Sequence, residues 1–534
     1  LEGVINGEND EETEDVNVGD LTIRAVSFTA GGAFVGVGVA AGVVVLNSNI
    51  KAYIEGDVIK AASLTVKAES DYPQVIAATL AGSGGVVGVS ASIATVAFNG
   101  NVFSGIVGDA QIGMSNQAGD TVGDINVTSK ATTDATTLAA AISGGGVAVN
   151  GAISLAINRT MVETMIGQGV SLKSTGDVNV KATVTTEADT YIVGAAVGGV
   201  AVGLSAAISI LEPTVLTYIG TTPYKQTPTA GAATGTTGSV RAANVNVEND
   251  TTTTASSTVL SVAGGGSVAV NGNVLLVFNH TVSYAAINKM PVTAAGNINV
   301  DAFMNSRAES LLASGTVGTF SAVGVTVSYV RLGSENVALI DTTGVEVKAN
   351  NIYVYAGRDA DGQRNNSSAR STALAASIGM VAVNMNAAVA DNDTVNNAVI
   401  QGNGQLIANN ALKVGANSIA TAYAEVLGLS YGAASIAASF AIALLRSEQR
   451  AAIDGGDIEA GSLEVISRLN YNTSENSSEA KLGIGSGGLI TVNANVSVAY
   501  GRSKSLAEIN AASVDVTACS SKVGSYGKAE VLSE

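Results

Sequence analysis

Few residues in this sequence have the types and spacing for chemistry. Asp359-Ala360-Asp361-Gly362 places two carboxylates one residue apart before a glycine, the opening of a loop that a hard cation such as calcium favours. The remaining loop spacing and the distal glutamate are missing, so Asp359 and Asp361 fit an ordinary solvated loop as well, and Asp391 with Asp393 poses the same choice. The single histidine, His280, follows Asn279 in a turn, where an exposed or ladder position is expected, and a cluster of histidine ligands is excluded. Cys519 stands alone and can form no internal disulfide. Gly264-Gly265-Gly266 lacks the Lys-Ser/Thr of a phosphate-binding loop and runs into a strand. There is no His-Glu-x-x-His, and the Gly-Gly-x-Gly-x-Asp calcium nonapeptide of other β-rolls does not occur. The expectation is a chain with no catalytic residue, no cofactor and no metal, the solvated loop being favoured at Asp359 and Asp361 over a calcium site.

The elements that would position these residues follow one pattern, clearest at Gly144 to Gly167, GGGVAVNGAISLAINRTMVETMIG. Val147, Val149, Gly151, Ile153, Leu155 and Ile157 share one parity, and Ala148, Asn150, Ala152, Ser154, Ala156 and Asn158 the other. A two-residue period of this kind is a β-strand with one large apolar face and one face of small residues. The preceding glycines suit a sharp bend, and Asn158-Arg159-Thr160 supplies the far turn. The small face, read as the outer one, would let another flat layer approach closely, either as a contact surface or covered by the chain's own second strand.

Close copies follow at Ser267 to Ile287 and Leu489 to Ile509, with looser ones at Val35 to Val45, Val200 to Ile210, Val323 to Tyr329 and Val381 to Val389. Each unit opens with a short strand of the type Asp-Ile-Asn-Val-x-Ala, with starts at 21, 64, 125, 178, 245, 298, 352, 412, 463 and 514. The spacings are 43, 61, 53, 67, 53, 54, 60, 51 and 51, and loops of variable length leave at fixed phases, the longest at Thr221 to Arg241. Insertions of this kind are tolerated where each coil contacts only its neighbours. The fold expected is all-β: a parallel β-solenoid of about nine coils of roughly 50 to 60 residues, with several strands per coil.

In such a stack, equivalent side chains form ladders. Asn47, Asn99, Asn158 and Asn279 are expected to form one at the turn, and Asn150, Asn271, Asn384 and Asn493, in Val-x-Val-Asn or its relatives, a second. The second set recurs at intervals of 121, 113 and 109, about two units each, which predicts an alternating two-coil repeat. Turn asparagines bond to nearby main chain, so the ladders are read as structural.

Composition agrees with one long repetitive body. The chain has 534 residues, 62 Gly, 5 Pro, 8 Phe, 14 Tyr and no Trp, so its core must be thin layers of Val, Ile, Leu and Ala. A net charge of -18 argues against nucleic acid, which needs clustered Lys and Arg. Residues 1–18 read as an acidic lead-in or the end of a preceding repeat, 19–511 as the continuous array and 512–534 as a further, truncated repeat; no targeting segment is visible, and a processed chain or internal fragment is expected.

The unit GGGVAVNGAISLAINRTMVETMIG followed by GDVNVKA at Gly176 to Ala182 resembles the large repetitive surface proteins of Gram-negative anaerobes, the leukotoxin-type filamentous adhesins and related autotransported or two-partner-secreted exoproteins. The resemblance extends from about Gly19 to Ser520. It implies an extracellular or cell-surface location and work as an adhesin stalk or fibre. Its implied partners are copies of itself, a host cell surface or other bacteria. Two rivals stand beside it. A polysaccharide-active β-helix enzyme would need a carboxylate pair and aromatic platforms, and only 4% of residues are aromatic. An outer-membrane β-barrel would need aromatic girdles and a lipid face of large apolar residues, against the many Ala, Gly and Ser here.

Overall fold

The computed structural model describes residues 23–114, 120–224, 237–357, 364–471, 473, 477–516, 521–527 and 531–533. The acidic lead-in, Cys519 and the calcium candidates Asp359 and Asp361 lie outside the described residues. Among those described there are 28 strands and no helix, and the strands join one sheet whose ladders run parallel, which is a parallel β-solenoid.

Its coil register reproduces the opener spacing over most of the chain. Leu64 pairs with Ile125, Ile125 with Val178, Val178 with Val245, Val245 with Ile298, Ile298 with Ile352, Ile352 with Leu412 and Leu412 with Leu463. The two outermost starts are displaced. Ile23 pairs with Val75, further along its coil than the opener at Leu64, and Val514 pairs with Ile458 while Leu463 pairs with Ser521. A short run of alternating apolar residues marks several strands in each coil, so the motif is ambiguous without a neighbour to fix its phase.

Each coil has two parts. In the third, the strand Val122–Gly167 passes through an opener, climbs along residues 135–145, bends at the glycines, returns along 147–158 and closes at 161–167. Opener and closer enclose a base filled by branched aliphatics such as Ile125, Val127, Ile166 and Leu172. The climbing and returning legs stand out from this base as a flat, two-layered fin. Nine return legs stack in parallel register, residues 35–46, 87–98, 147–158, 200–211, 268–279, 321–332, 381–392, 434–445 and 490–501.

Inside the fin, the faces are turned opposite to the outer placement of the small residues. Ala148, Asn150, Ala152, Ser154, Ala156 and Asn158 are all buried against the climbing leg, while Val147 and Ile153 are 39% and 45% exposed. The chain's own second strand does cover the small face. Short side chains let the legs close to hydroxyl contact: Thr79 Oγ1 lies 2.7 Å from Ser92 Oγ, and Thr137 Oγ1 lies 2.6 Å from Ser154 Oγ. In these coils a side chain the size of Val or Leu at those levels would hold the legs too far apart for the bonds; buried Val96 and Phe98 lie at levels nearer the base. At the tip, Gly145 adopts φ 152°, and a Cβ there would stand 2.3 Å from the Gly85 carbonyl oxygen. Stacked bends leave no room for any residue but glycine at that point.

The asparagine ladders also differ from expectation. Asn47 and Asn99 are in register and hydrogen-bonded at 3.0 Å, but they are exposed, and Asn99 pairs with Arg159. Asn158 and Asn279 belong to the buried parity. Their ladder runs Leu46, Phe98, Asn158, Leu211, Asn279, Leu332, Asn392, Leu445, Gly501, with asparagine and leucine alternating through its middle. It lies where fin joins base, and Asn158 Nδ2 donates to Thr133 Oγ1 at 2.9 Å and to the Glu187 carbonyl of the next coil at 3.0 Å.

The second ladder has the expected two-coil period. It runs Gly38, Ser90, Asn150, Gly203, Asn271, Gly324, Asn384, Ala437, Asn493. A Cβ on Gly203 would stand 2.9 Å from Asn271 Oδ1 and 3.2 Å from Asn150 Oδ1, so the amides of the flanking coils occupy the space above a residue that has no side chain. Asn in one coil therefore requires a small residue in the next.

Candidate functional site

The fin's outer surface is the largest candidate. Six coils carry a charge-free run of 20 to 24 residues with a charged residue immediately at each end: 135–158, 190–211, 310–330, 371–390, 426–445 and 482–501. Each run is the fin portion of its coil. Outward residues on the climbing legs include Leu138, Ile142, Val193, Val197, Leu260 and Leu429, and on the return legs Ile153, Leu204, Val274, Met385, Ile436 and Val492, all exposed. The tip is apolar as well, with Phe34, Phe320, Met380 and Leu489 exposed. An apolar surface covering both faces and the rim is far more than the scattered aliphatics of an ordinary protein exterior.

Charges gather in a belt at the fin's foot. On one face Arg159 Nε reaches Glu212 at 2.8 Å, and Arg446 meets both carboxylate oxygens of Asp391, the closer at 2.6 Å. Asp393 lies 3.6 Å from Arg446 and 3.9 Å from Arg331. Asp391 and Asp393 are thus partners of guanidinium groups, which rival any cation for their oxygens. His280 Nδ1 on the same belt bonds the Gly333 carbonyl of the next coil, an exposed bridging role. On the other face Arg307 pairs with Glu309 and Lys481 with Glu479, each at 2.5 Å. Aromatic rings stand two residues inward of Asp189, His280, Arg331 and Arg502 on this belt, at Tyr191, Phe278, Tyr329 and Tyr500.

The belt also holds the one group of three carboxylates among the described residues that come close enough to share a cation, Asp134, Glu187 and Asp189, with one oxygen from each within 4.8 Å of the others. Strand register brings them together, since Asp134 pairs with Glu187 and Thr136 with Asp189. Thr136 donates to Asp134 at 2.7 Å and Ser256 to Asp189 at 2.6 Å. Burial raises the pKa of all three, and Asp189 is pushed to about 6, with Ser256 opposing the rise and the Asp134 and Glu187 charges adding to it. Three oxygens could hold a hard cation such as calcium only if water completed its six to eight ligands. Their separation in sequence hid this group from a motif search.

A raised acid pKa means that the folded state takes up protons before the unfolded chain does, so this carboxylate's destabilising effect is full at pH 7 and fades as pH falls through about 6 towards 3.8. Asp189→Asn, which keeps the acceptor for Ser256, is expected to raise stability at pH 7 by about 1 to 2 kcal/mol, after allowing for solvent screening. Thermal unfolding at pH 7 and at pH 4 checks this: the gain is confined to the higher pH, and an equal gain at both would refute the titration.

A separate groove of about 610 Å³ lies on the base, lined by Tyr353, Tyr355, Lys413, Glu464 and Arg468 among others. The two tyrosine rings stack with centroids 6.2 Å apart, a flat surface of the kind a sugar ring can cover. Among the described lining residues Glu464 is the single carboxylate and lies 3.6 Å from Lys413 Nζ, so those residues hold no carboxylate pair of the kind glycoside hydrolysis uses.

Of the remaining ladder residues, Asn150, Asn271 and Asn384 are buried in the fin, where their amides bond main-chain carbonyls of Ala141, Ser261 and Ala375, and Asn493 bonds Ser486 in the last return leg. All serve packing. A ladder not anticipated uses the asparagine of the opener motif: Asn179 donates to Asn126, Asn246 to Asn179 and Asn299 to Asn246, at 2.7 to 2.9 Å. Its signal was the Asn of Asp-Ile-Asn-Val, repeated in phase.

Fold and surface together define a β-solenoid with an apolar fin. No family model, curated protein or solved structure matches the chain.

Proposed function

We propose that this chain is an elongated structural and adhesive segment of a secreted or surface-attached bacterial filamentous protein, without catalytic chemistry. The observation that carries this reading is the unbroken parallel register of nine return legs. Backbone hydrogen bonds between coils point along the stack, so an axial load is divided over a whole coil's ladder and no bond is loaded alone. Ladders of asparagine and rows of ion pairs add cross-coil links to the same axis. The resemblance of the repeat unit to leukotoxin-type filamentous adhesins supports an extracellular place, with copies of the chain, host cells or other bacteria as partners.

Cryo-electron imaging tests this. Rods with an axial rise of about 4.8 Å per coil are expected. Closed rings in membrane, or compact particles with a cleft, would sink the reading in favour of a barrel or an enzyme.

A further inference from the structure

From the shape and charge pattern of the fin, we infer that it is a lipid-inserting blade whose partner is a zwitterionic phospholipid bilayer. The inference rests on the adhesive reading and names the surface that is met.

Three observations carry it. The first is depth. A return leg of 12 residues, such as 147–158, spans on the order of 35 Å at about 3.3 Å per residue step, comparable with the roughly 30 Å hydrocarbon layer of a bilayer. The flanking charges at Asp134 and Arg159, Asp189 and Glu212, Glu425 and Arg446 then stand where the headgroups begin, and Tyr191, Phe278, Tyr329 and Tyr500 lie beside them, the depth at which aromatic rings concentrate in membrane proteins.

The second is distribution. Apolar side chains cover both faces and the tip. A second copy of the chain would cover one face and leave the other face and the rim in water, whereas hydrocarbon covers all three at once.

The third is polarity inside. Backbone groups of an interior coil are paired to the coils on either side, and the hydroxyls and amides of the fin turn inward, as at Thr137 and Ser154 or Ser261 and Asn271. Hydrocarbon admits strands only when their polar backbone is paired within the protein. No helix among the described residues is long and apolar enough to cross a membrane, and the proposed contact is made by the strands of the fin. The net charge of -18 favours zwitterionic over anionic lipid at low salt.

The chain lacks tryptophan, so a single introduced one reports only its own surroundings. Leu204→Trp, at mid-height on the fin, and Ile59→Trp, on an exposed base loop, are to be mixed with phosphatidylcholine vesicles carrying brominated acyl chains. The expected result is a blue shift and strong quenching at position 204 and neither at 59, with the protein floating with the vesicles. A double Ile153→Glu, Leu204→Glu variant, altered only at outward positions and checked for an unchanged β circular dichroism spectrum, should lose vesicle partitioning by roughly tenfold or more. Equal response at 59 and 204, or no response at either, overturns the inference, as does quenching-insensitive dimerisation through the fin seen by light scattering. Rods that ignore vesicles overturn the blade and leave the filament standing; vesicle binding by particles that are not rods does the reverse.

Discussion

Ala269→Leu is expected to force the fin apart around the fifth coil and to lower local stability by about 3 kcal/mol, at the upper end of overpacking effects. Ala269 sits in a ladder of five fully buried alanines, Ala148, Ala201, Ala269, Ala322 and Ala382. The opposite leg meets it with Ala196 and Ala263, so a methyl faces a methyl across the interior. A leucine adds three carbons between two layers of fully buried alanines. Both adjacent coils are bonded to the fifth along their whole length, so neither leg can move alone. Hydrogen exchange measures the outcome: amides in 255–279 and 308–332 should lose protection while base strands several coils away keep theirs, because a stacked repeat fails locally. Val270→Leu, one residue along and facing outward, should change little. Parent-like protection in Ala269→Leu would show that the interior is not closed at this level.

Asn279→Ala should cost about 3 kcal/mol, against less than about 0.5 kcal/mol for Asn47→Ala. Asn279 Nδ2 donates to Thr253 Oγ1 at 3.1 Å and to the Arg307 carbonyl of the next coil at 3.0 Å, and its Oδ1 accepts from Thr281 at 2.8 Å. These groups lie buried at the junction of fin and base, so truncation strands them away from water. Asn47 is exposed, and its Oδ1 accepts one bond from Asn99. Denaturant unfolding of the two variants discriminates; equal effects would mean that the buried and exposed asparagines are energetically alike.

Much of the coil plan could be read from the chain. Opener positions from Leu64 to Leu463 land on their register partners because the motif repeats an alternation that only one phase can bury. The two-coil period of Asn150, Asn271 and Asn384 was visible for a similar reason, since each Asn is flanked by Gly, Ala or Ser in the adjacent coils. Grouping Asn99 with Asn158 failed by one residue, because Asn158 pairs with Phe98, and in a strand one residue moves a side chain to the opposite face. Asp134, Glu187 and Asp189 escaped notice because nothing local marks them. Strand register brings them together across more than 50 residues.

What the sequence determined by itself was periodicity: strands, their parity, the glycine bends and the length of each coil, all of which depend on neighbours in the chain. Tertiary structure alone decided which parity faces inward. Alternation specifies two faces but assigns neither, and the usual expectation buries the larger side chains. Here the tip half of the fin interior is mostly Ala, Ser, Thr and Asn, and such short side chains allow hydroxyl contact at 2.6 to 2.7 Å. Val96, Ile192, Val259, Leu275 and Leu312 fill the interior from mid-height towards the base. That leaves many Val, Ile and Leu, such as Val147, Ile153 and Leu204, on the outside and makes the fin's surface apolar as well as its core.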